Sequence, residues 1–447
     1  MDLKGKKIIV LGVGKTGIAT AKFLGKQGAQ VAVTDEKPLD AWGTEFESIA
    51  CEKWIEKGIY HPEILDGASM VIPSPGVPPK NIILQAAVEK KIAVISEIEL
   101  AHHFFKTPVI AVTGTNGKTT TTTLLGEMLK GAGKKIFVGG NIGNPLIEYA
   151  QGSAKDEYVV AEISSFQLQW VDKFHPFISI LLNITSDHTD YHSSFAEYVK
   201  VKRRIFENQT ENDFAIMNAD DGSQKELAKH IRAKIISFSS KRELKEGIYL
   251  EKQRIIFRTA EFGQESYPVS MIKIPGLHNV ENVMAAIVAA RLCGADRRSV
   301  KSCVSEFHGL PHRIEFAGEK NSIKFYDDSK GTNVGAVVRA LQTFSQPVVL
   351  LLGGRDKEGD FETLQSIIPE KTKRVILFGE AKDRIASLIG NSVEKIKTQK
   401  LIDAVEAAYK SAEPGDIVLL SPGCASFDEF RDYKERGNIF KQAVRNL

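Results

Sequence analysis

The chain has 447 residues, 43% hydrophobic and 26% charged, enough to bury sizeable cores and to divide into about three domains. A net charge of +3 with both signs mixed along the chain leaves no basic face for nucleic acid, and no apolar run reaches the length of a membrane span. Four cysteines, Cys51, Cys293, Cys303 and Cys424, stand without metal or disulfide spacing, which points to a reducing, cytoplasmic setting.

Residues 6–11 (KKIIVL) read as a short buried strand, followed by Gly12, Gly14 and Gly17 in G-x-G-x-x-G spacing and a helical run to about Gly25. A second strand over 31–34 ends at Asp35, where a Rossmann fingerprint puts its ribose-binding acid. Taken alone this opening fits NAD(P), another nucleotide or a structural turn. A uridine diphosphate can use the same chemistry, with its diphosphate on the helix N-terminus at 15–17 and its ribose or uracil on Asp35. A strand over 70–72 runs into Ser74 of SPGVPP, and 92–95 reads as one more strand. Residues 1–106 are therefore expected to form a Rossmann-like parallel α/β sheet.

The segment 109–125, VIAVTGTNGKTTTTTLL, is an apolar strand that turns on Gly114 and Gly117 and enters a helix. It reads as a phosphate loop: backbone N–H groups and the helix dipole face an anion, Lys118 adds a charge, and Thr119 offers a hydroxyl to Mg²⁺. It departs from G-x-x-x-x-G-K-[ST] in having Val112 where the first glycine belongs. GGNIGNP at 139–145 presents Asn141, and a strand over 158–163 places Glu162 at a sheet's C-terminal edge, as a metal ligand or a solvated strand-end acid. A strand over 178–184 delivers His188 in TSDHTD. Over 195–207 a helical stripe of Phe195, Tyr198, Val199, Ile205 and Phe206 includes Lys202. That lysine either snorkels or, buried and neutral, adds CO₂ to become an anionic carbamate.

The stretch up to Ser270 carries no motif. Asn279 and Asn282 lie one turn apart before a helix over 283–292, suited to an adenine edge or to capping. Beyond Leu310, strands over 323–326 and 348–352 feed DDSKGTN (327–333) and GGRDK (353–357). A strand over 375–378 leads to a linker, and one over 417–420 delivers SPGCAS (421–426). These loops converge on one face of another α/β sheet.

The set GTNGKT (114–119), EISSFQL (162–168), NITSDH (183–188), GLHNVEN (276–282), LPHR (310–313), DDSKGTN (327–333) and SPGCASFDEF (421–430) resembles the Mur ligases, and the likeness covers nearly the whole chain. DDSKGTN with GGRDK is similar to the branch whose substrates are UDP-N-acetylmuramoyl-L-alanine and D-glutamate. The resemblance implies an ATP-dependent amide ligase of peptidoglycan synthesis in three domains: a Rossmann-like UDP-sugar domain (1–106), a central phosphate-loop ATPase domain (107–310) and a mobile Rossmann-like α/β domain (311–447). It implies that Gly14, Lys15, Thr16, Asp35, Lys37 and Ser74 hold the UDP-sugar and that Asn141 and Ser164 meet its muramoyl-alanine end. Gly114, Thr115, Asn116, Gly117, Lys118, Thr119 and Thr120 would hold the ATP phosphates, Asn279 and Asn282 adenine, and Arg313 and Asp328 phosphate and ribose. Thr119, Glu162, His188 and a carboxylated Lys202 would ligate Mg²⁺, two ions being expected. Lys330, Thr332, Lys357 and Ser426 would hold the acceptor and acyl phosphate, with Tyr433 where the family often has Phe. Lys118, Glu162, His188, Lys202 and Lys330 are the expected catalytic set. The implied protein is a monomer, with neither nucleic acid nor membrane as partner. Alternatives are another Mur-type ligase, a folylpolyglutamate synthase-like ligase, an NAD(P)-dependent oxidoreductase built on the first sheet, and a non-catalytic nucleotide-binding module.

Overall fold

The structure is a computed structural model that describes residues 1–36, 42, 49, 52–53, 61–152, 155–185, 191–356 and 358–447. Strands Glu52–Lys53, Gln30–Thr34, Lys7–Leu11, Ala68–Pro73 and Ala93–Val94 form, in that order, an all-parallel sheet. Lys7–Leu11, KIIVL, is central and covered on both faces, which is why it reads as a continuous apolar run and not an alternating one. Gly12 turns the chain at φ +99°, and a Cβ on Gly17 would lie 1.9 Å from the Gly12 carbonyl oxygen, so both glycines are steric requirements of the turn.

The central sheet has nine strands, in the order Gly263–Pro268, Arg254–Thr259, Gly247–Glu251, Lys234–Ser239, Phe214–Asn218, Ile178–Leu181, Val109–Thr113, Tyr158–Glu162 and Ile136–Gly140. The first three are joined antiparallel, so the stretch before Ser270 is a three-stranded meander extending the sheet. Helices Lys118–Gly131 and Leu277–Leu292 cover one face; the second is buried on nearly every side, and its sequence is apolar almost all round.

In the third sheet, Glu315–Lys320, Ile323–Asp327, Ile417–Gly423, Val348–Gly353, Thr372–Phe378 and Glu394–Lys397 follow in order, antiparallel only between the first two. The expected linker after residue 378 is instead helix Lys382–Leu388 and edge strand Glu394–Lys397. Both elements are short and three of the four residues of the strand, EKIK, are charged, so neither leaves a clear periodic signal. The fold class, three α/β units, is as expected.

One hydrophobic core runs without a break from the first sheet (Ile8, Val10, Val33) through Ile98 and Leu100 into the central unit (Val109, Ala111, Leu146, Phe174). The six-residue helix Glu97–His102 carries this junction. Its buried Glu99 accepts backbone N–H bonds from Asp172, Lys173 and Phe174 at 2.8–3.0 Å, while Glu97 accepts from Ile147 at 2.6 Å. The two cores of the third sheet contain only residues from Ile314 onward. Among the described residues no helix is long and apolar enough to cross a membrane, and Cys293, Cys303 and Cys424 are free thiols.

Candidate active site

The phosphate loop is shaped by two asparagines that sequence reading had not assigned this task. Asn183 accepts the Thr115 N–H on its carbonyl and the Asn116 N–H on its side chain, and donates back to the Asn116 carbonyl, all at 2.9 Å. Asn282 closes the other side: a Cβ on Gly117 (φ +89°) would lie 2.2 Å from its Oδ1. Its Nδ2 donates to Asn279 Oδ1 at 3.1 Å, and Asn279 donates to the Pro275 carbonyl at 2.6 Å. Asn183 and Asn282 thus build the loop's walls. The Lys118 ammonium folds onto the Gly114 and Thr115 carbonyls at 2.8 and 2.9 Å.

Glu162 ends the strand beside the loop strand and is 2% exposed. One oxygen accepts from Asn141 Nδ2 at 2.7 Å; the other is buried and hydrogen-bonds nothing among the described residues. An unmatched buried carboxylate oxygen is costly unless a cation meets it, so Glu162 fits a metal ligand. Lys202 is 1% exposed and does not snorkel: its Nζ lies 4.7 Å from the Tyr198 ring centroid and donates to the Gly114 carbonyl at 3.0 Å. The helix around it spans Phe195–Arg203 and buries Tyr198, Val201 and Lys202, passing into a 3₁₀ turn at Arg204–Phe206. Phe195 is 48% exposed, so the apolar stripe is rotated from the expected one, and Val201 is part of it. Lys37, His188 and Lys357 lie outside the described residues.

The third unit meets the loop directly. Arg313 donates to the Thr119 hydroxyl at 2.7 Å, and a cleft between the two units is lined by Gly117, Asn279, Asn282, Arg313, Asp328 and Lys330. Thr120 and Asn116 line it as well. Asp328 accepts from Ser421 Oγ at 2.8 Å, and burial pushes its carboxyl up to about 7. Lys330 lies 3.8 Å from the Tyr433 ring centroid; burial, then Arg313 and Lys118, lower its ammonium to about 8, against the pull of Glu162. Thr332 follows in the same loop, its N–H on the Lys330 carbonyl at 2.9 Å, and Ser426 is buried in the next.

Arg436, which the sequence reading passed over, holds these two loops together. Fully buried, it donates to Ser329 Oγ, the Ser329 carbonyl, and the Cys424 and Ala425 carbonyls at 2.8–3.1 Å. Its inward position, with Gly437, Phe440 and Val444 on the helix Tyr433–Asn446, was the available signal.

The remaining candidates lie apart from this cleft, most of them on the first sheet and Ser164 on the central unit. Asp35 accepts the Val13 N–H at 2.7 Å, and Ser74 Oγ donates to the Gly12 carbonyl at 3.0 Å, so both brace the glycine turn. The helix Lys15–Lys26 starts at Gly14 with no side-chain cap, leaving the N–H groups of its first turn, Thr16 among them, without a capping side chain. Lys15 reaches the Gly143 carbonyl and Asn144 Oδ1 at 2.7 and 3.1 Å, tying the helix to the Asn141 loop. Ser164 caps the short helix Ser165–Leu168 in a capping box with Gln167.

A phosphate loop closed over by a second α/β unit, with lysines and an unmatched carboxylate around the cleft, defines a three-domain nucleotide-using enzyme of the phosphate-loop class. Family models match along the chain: the MurD-like N-terminal domain of Mur ligases over 6–96, the Mur ligase middle domain over 112–290, and the glutamate ligase domain of Mur ligases over 312–424. The chain belongs to the Mur ligase family. It is 52% identical to a UDP-N-acetylmuramoylalanine--D-glutamate ligase of Syntrophus aciditrophicus, covering 100% of this chain and 99% of that one. It is 44% identical to a ligase of the same name from Geotalea daltonii, with the same coverage. Among solved structures it shares the fold of a MurF ligase from Thermotoga maritima in complex with ADP (TM-score 0.62, 16% identity, 100% of this chain and 96% of that one). A pseudomurein peptide ligase type C from Methanothermus fervidus is as similar (TM-score 0.62, 19% identity, 99% and 100%).

Proposed function

We propose that the chain is an ATP-dependent ligase that joins D-glutamate to UDP-N-acetylmuramoyl-L-alanine in cytoplasmic peptidoglycan precursor synthesis, acting as a monomer without nucleic acid or membrane. The observation that carries this reading is likeness along the full chain, at 41–52% identity, to relatives of that name. The match of residues 6–96 to a MurD-like domain favours it over an NAD(P) oxidoreductase, a folate ligase and other Mur branches. The three units are taken as 1–106, 107–310 and 311–447.

In the first step an alanyl carboxylate oxygen bonds to the γ-phosphorus of ATP, ADP leaves, and an acyl phosphate forms. Lys118 and Arg313 gather where two anions must approach, and their charge offsets the repulsion. In the second step the neutral amine of D-glutamate adds to the acyl carbon; the tetrahedral intermediate collapses to the amide, expelling phosphate and losing the amine's proton. Lys330, Thr332, Lys357 and Ser426 are the proposed acceptor contacts, and Asp35, Lys37 and the helix N-terminus at Gly14 the UDP contacts. Glu162, with its unmatched oxygen, Thr119, His188 and a carboxylated Lys202 would hold Mg²⁺, which supplies charge neutralisation at the phosphates.

The test is phosphate release from ATP, Mg²⁺ and UDP-N-acetylmuramoyl-L-alanine. D-glutamate should be required, with D-alanine or D-glutamine poorer by ~10⁴-fold because polar partners would go unpaired. Equal release with L-glutamate, L-lysine or diaminopimelate, or release only with a folate, assigns the protein to another branch.

A further inference from the structure

Helix Val334–Gln342 of the third unit runs along the nucleotide cleft from one end to the other. A Cβ on Gly335, in its first turn, would lie 3.6 Å from Asn116 Nδ2 in the phosphate loop, whereas Thr343 just past its end stands 2.8 Å from where a Gly276 Cβ would be. The helix packs into its own domain through Val334, Val337, Ala340 and Leu341. Arg339 is off this face and lines the cleft, roughly 6 Å along the axis from Gly335 and so away from the phosphate end. Its neighbours there are His278, Asn279 and Asn282, with apolar lining from Ile274, Leu310 and Ala336.

The Arg339 guanidinium donates to nothing among the described residues; only the backbone carbonyl, which accepts from Thr343 Oγ1 at 2.9 Å, has a partner outside the helix. The charges that attract it, Glu281 and Asp221, belong to the central unit and are engaged elsewhere: Glu281 accepts from Ser240 Oγ at 2.7 Å, and Asp221 from the Ile184 N–H at 2.8 Å. They orient the guanidinium without using its donors or its flat faces. Burial, with Arg339 and Arg313, depresses the His278 ring to about 4, so the imidazole beside it is neutral. A planar cation, a neutral imidazole and aliphatic side chains around a slot beyond a phosphate site form a receptor for a flat heteroaromatic ring.

We propose that Arg339 is a base-contacting specificity residue, its guanidinium stacking on the purine of the nucleotide whose phosphates the loop holds. This rests on the ATP reading above. It gives the third unit two separate holds on one nucleotide: Arg313 at the phosphate end and Arg339 at the base. Closure of that unit is thereby coupled to the presence of a base and not only to phosphate.

The full chain is titrated calorimetrically with Mg²⁺ and either adenylyl imidodiphosphate or tripolyphosphate, which lacks base and ribose. Arg339→Ala should weaken adenylyl imidodiphosphate on the order of 10-fold, the size of one stacking contact, and leave tripolyphosphate unchanged. Arg339→Lys, which keeps the charge and loses the plane, should behave like Arg339→Ala. Equal weakening of both ligands, no change in either, or wild-type binding by Arg339→Lys overturns the proposal. A wild-type chain that binds neither ligand overturns the ATP reading beneath it.

Discussion

Arg436 illustrates how a buried charge serves a site without touching substrate. Its four donated bonds end on one hydroxyl and three carbonyls, with no carboxylate among them, so its work is to fix the loops that carry Lys330 and Ser426. Removing it leaves the Ser329 and Cys424 carbonyls short of a donor in a buried place, at about 1–3 kcal/mol each, while the Ala425 carbonyl keeps the Arg355 N–H. Arg436→Ala is expected to lower the thermal midpoint of the third unit and to raise the KM for D-glutamate well above any change in that for ATP; Arg436→Lys, unable to reach four acceptors, should recover little. Unchanged D-glutamate kinetics in a folded variant would count against the positioning role. Lys202 makes a sharper case. As the proposed carbamate it is needed for turnover, so Lys202→Ala should nearly abolish ligation and short carboxylates such as acetate should restore part of it. Wild-type turnover of Lys202→Ala in bicarbonate-free buffer would sink that assignment.

At the level of elements, the junction helix Glu97–His102 sets its two acids in different surroundings. Glu99 is met by three N–H groups and His103, whereas Glu97 has one N–H at 2.6 Å and an unmatched second oxygen, and burial raises it to about 7. A carboxyl raised on folding binds more protons in the native than in the unfolded state between the two values. Its contribution is therefore complete below about 4.5 and is lost as pH rises through about 7, by on the order of 3 kcal/mol at most. Glu97→Gln keeps an acceptor for Ile147 and should flatten the pH dependence of stability from 5 to 8, measured by urea denaturation; a slope equal to wild type would refute it. Neither acid was legible from sequence, since SEIEL reads as an ordinary amphipathic turn and its meaning comes from residues 146–147 and 172–174. The central strands were legible because parallel strands covered on both faces are apolar runs. Edge strands Glu315–Lys320 and Glu394–Lys397 were not, being charged at half or more of their positions where water reaches them. The loops that carry GTNGKT and DDSKGTN were readable from glycine spacing, whereas Asn183, Arg436 and Arg339 gained roles only when distant segments met.

For the whole molecule, the continuity of cores decides which units can stand alone. Cutting after residue 106 would expose Ile98, Leu100 and Ala101, all fully buried, separate Phe105 from Tyr149 and His102 from Phe174, and leave Glu97 and Glu99 without their N–H partners. Each large apolar side chain returned to water costs about 1.5–3 kcal/mol, and a unit of about 100 residues has only about 5–15 kcal/mol in total. The third unit faces a different interface. Its cores close on themselves, and the contacts across the cleft include a polar bond from Arg313 to Thr119 and the slot lined by Arg339, both of which water can replace. Residues 311–447 expressed alone should therefore unfold cooperatively on heating, while residues 1–106 alone should show no sharp transition. In the intact chain the first two units should melt together and the third separately unless a nucleotide bridges the cleft, in which case the transitions draw together. A cooperative transition for residues 1–106 alone would show that the shared core is not what holds the first unit together.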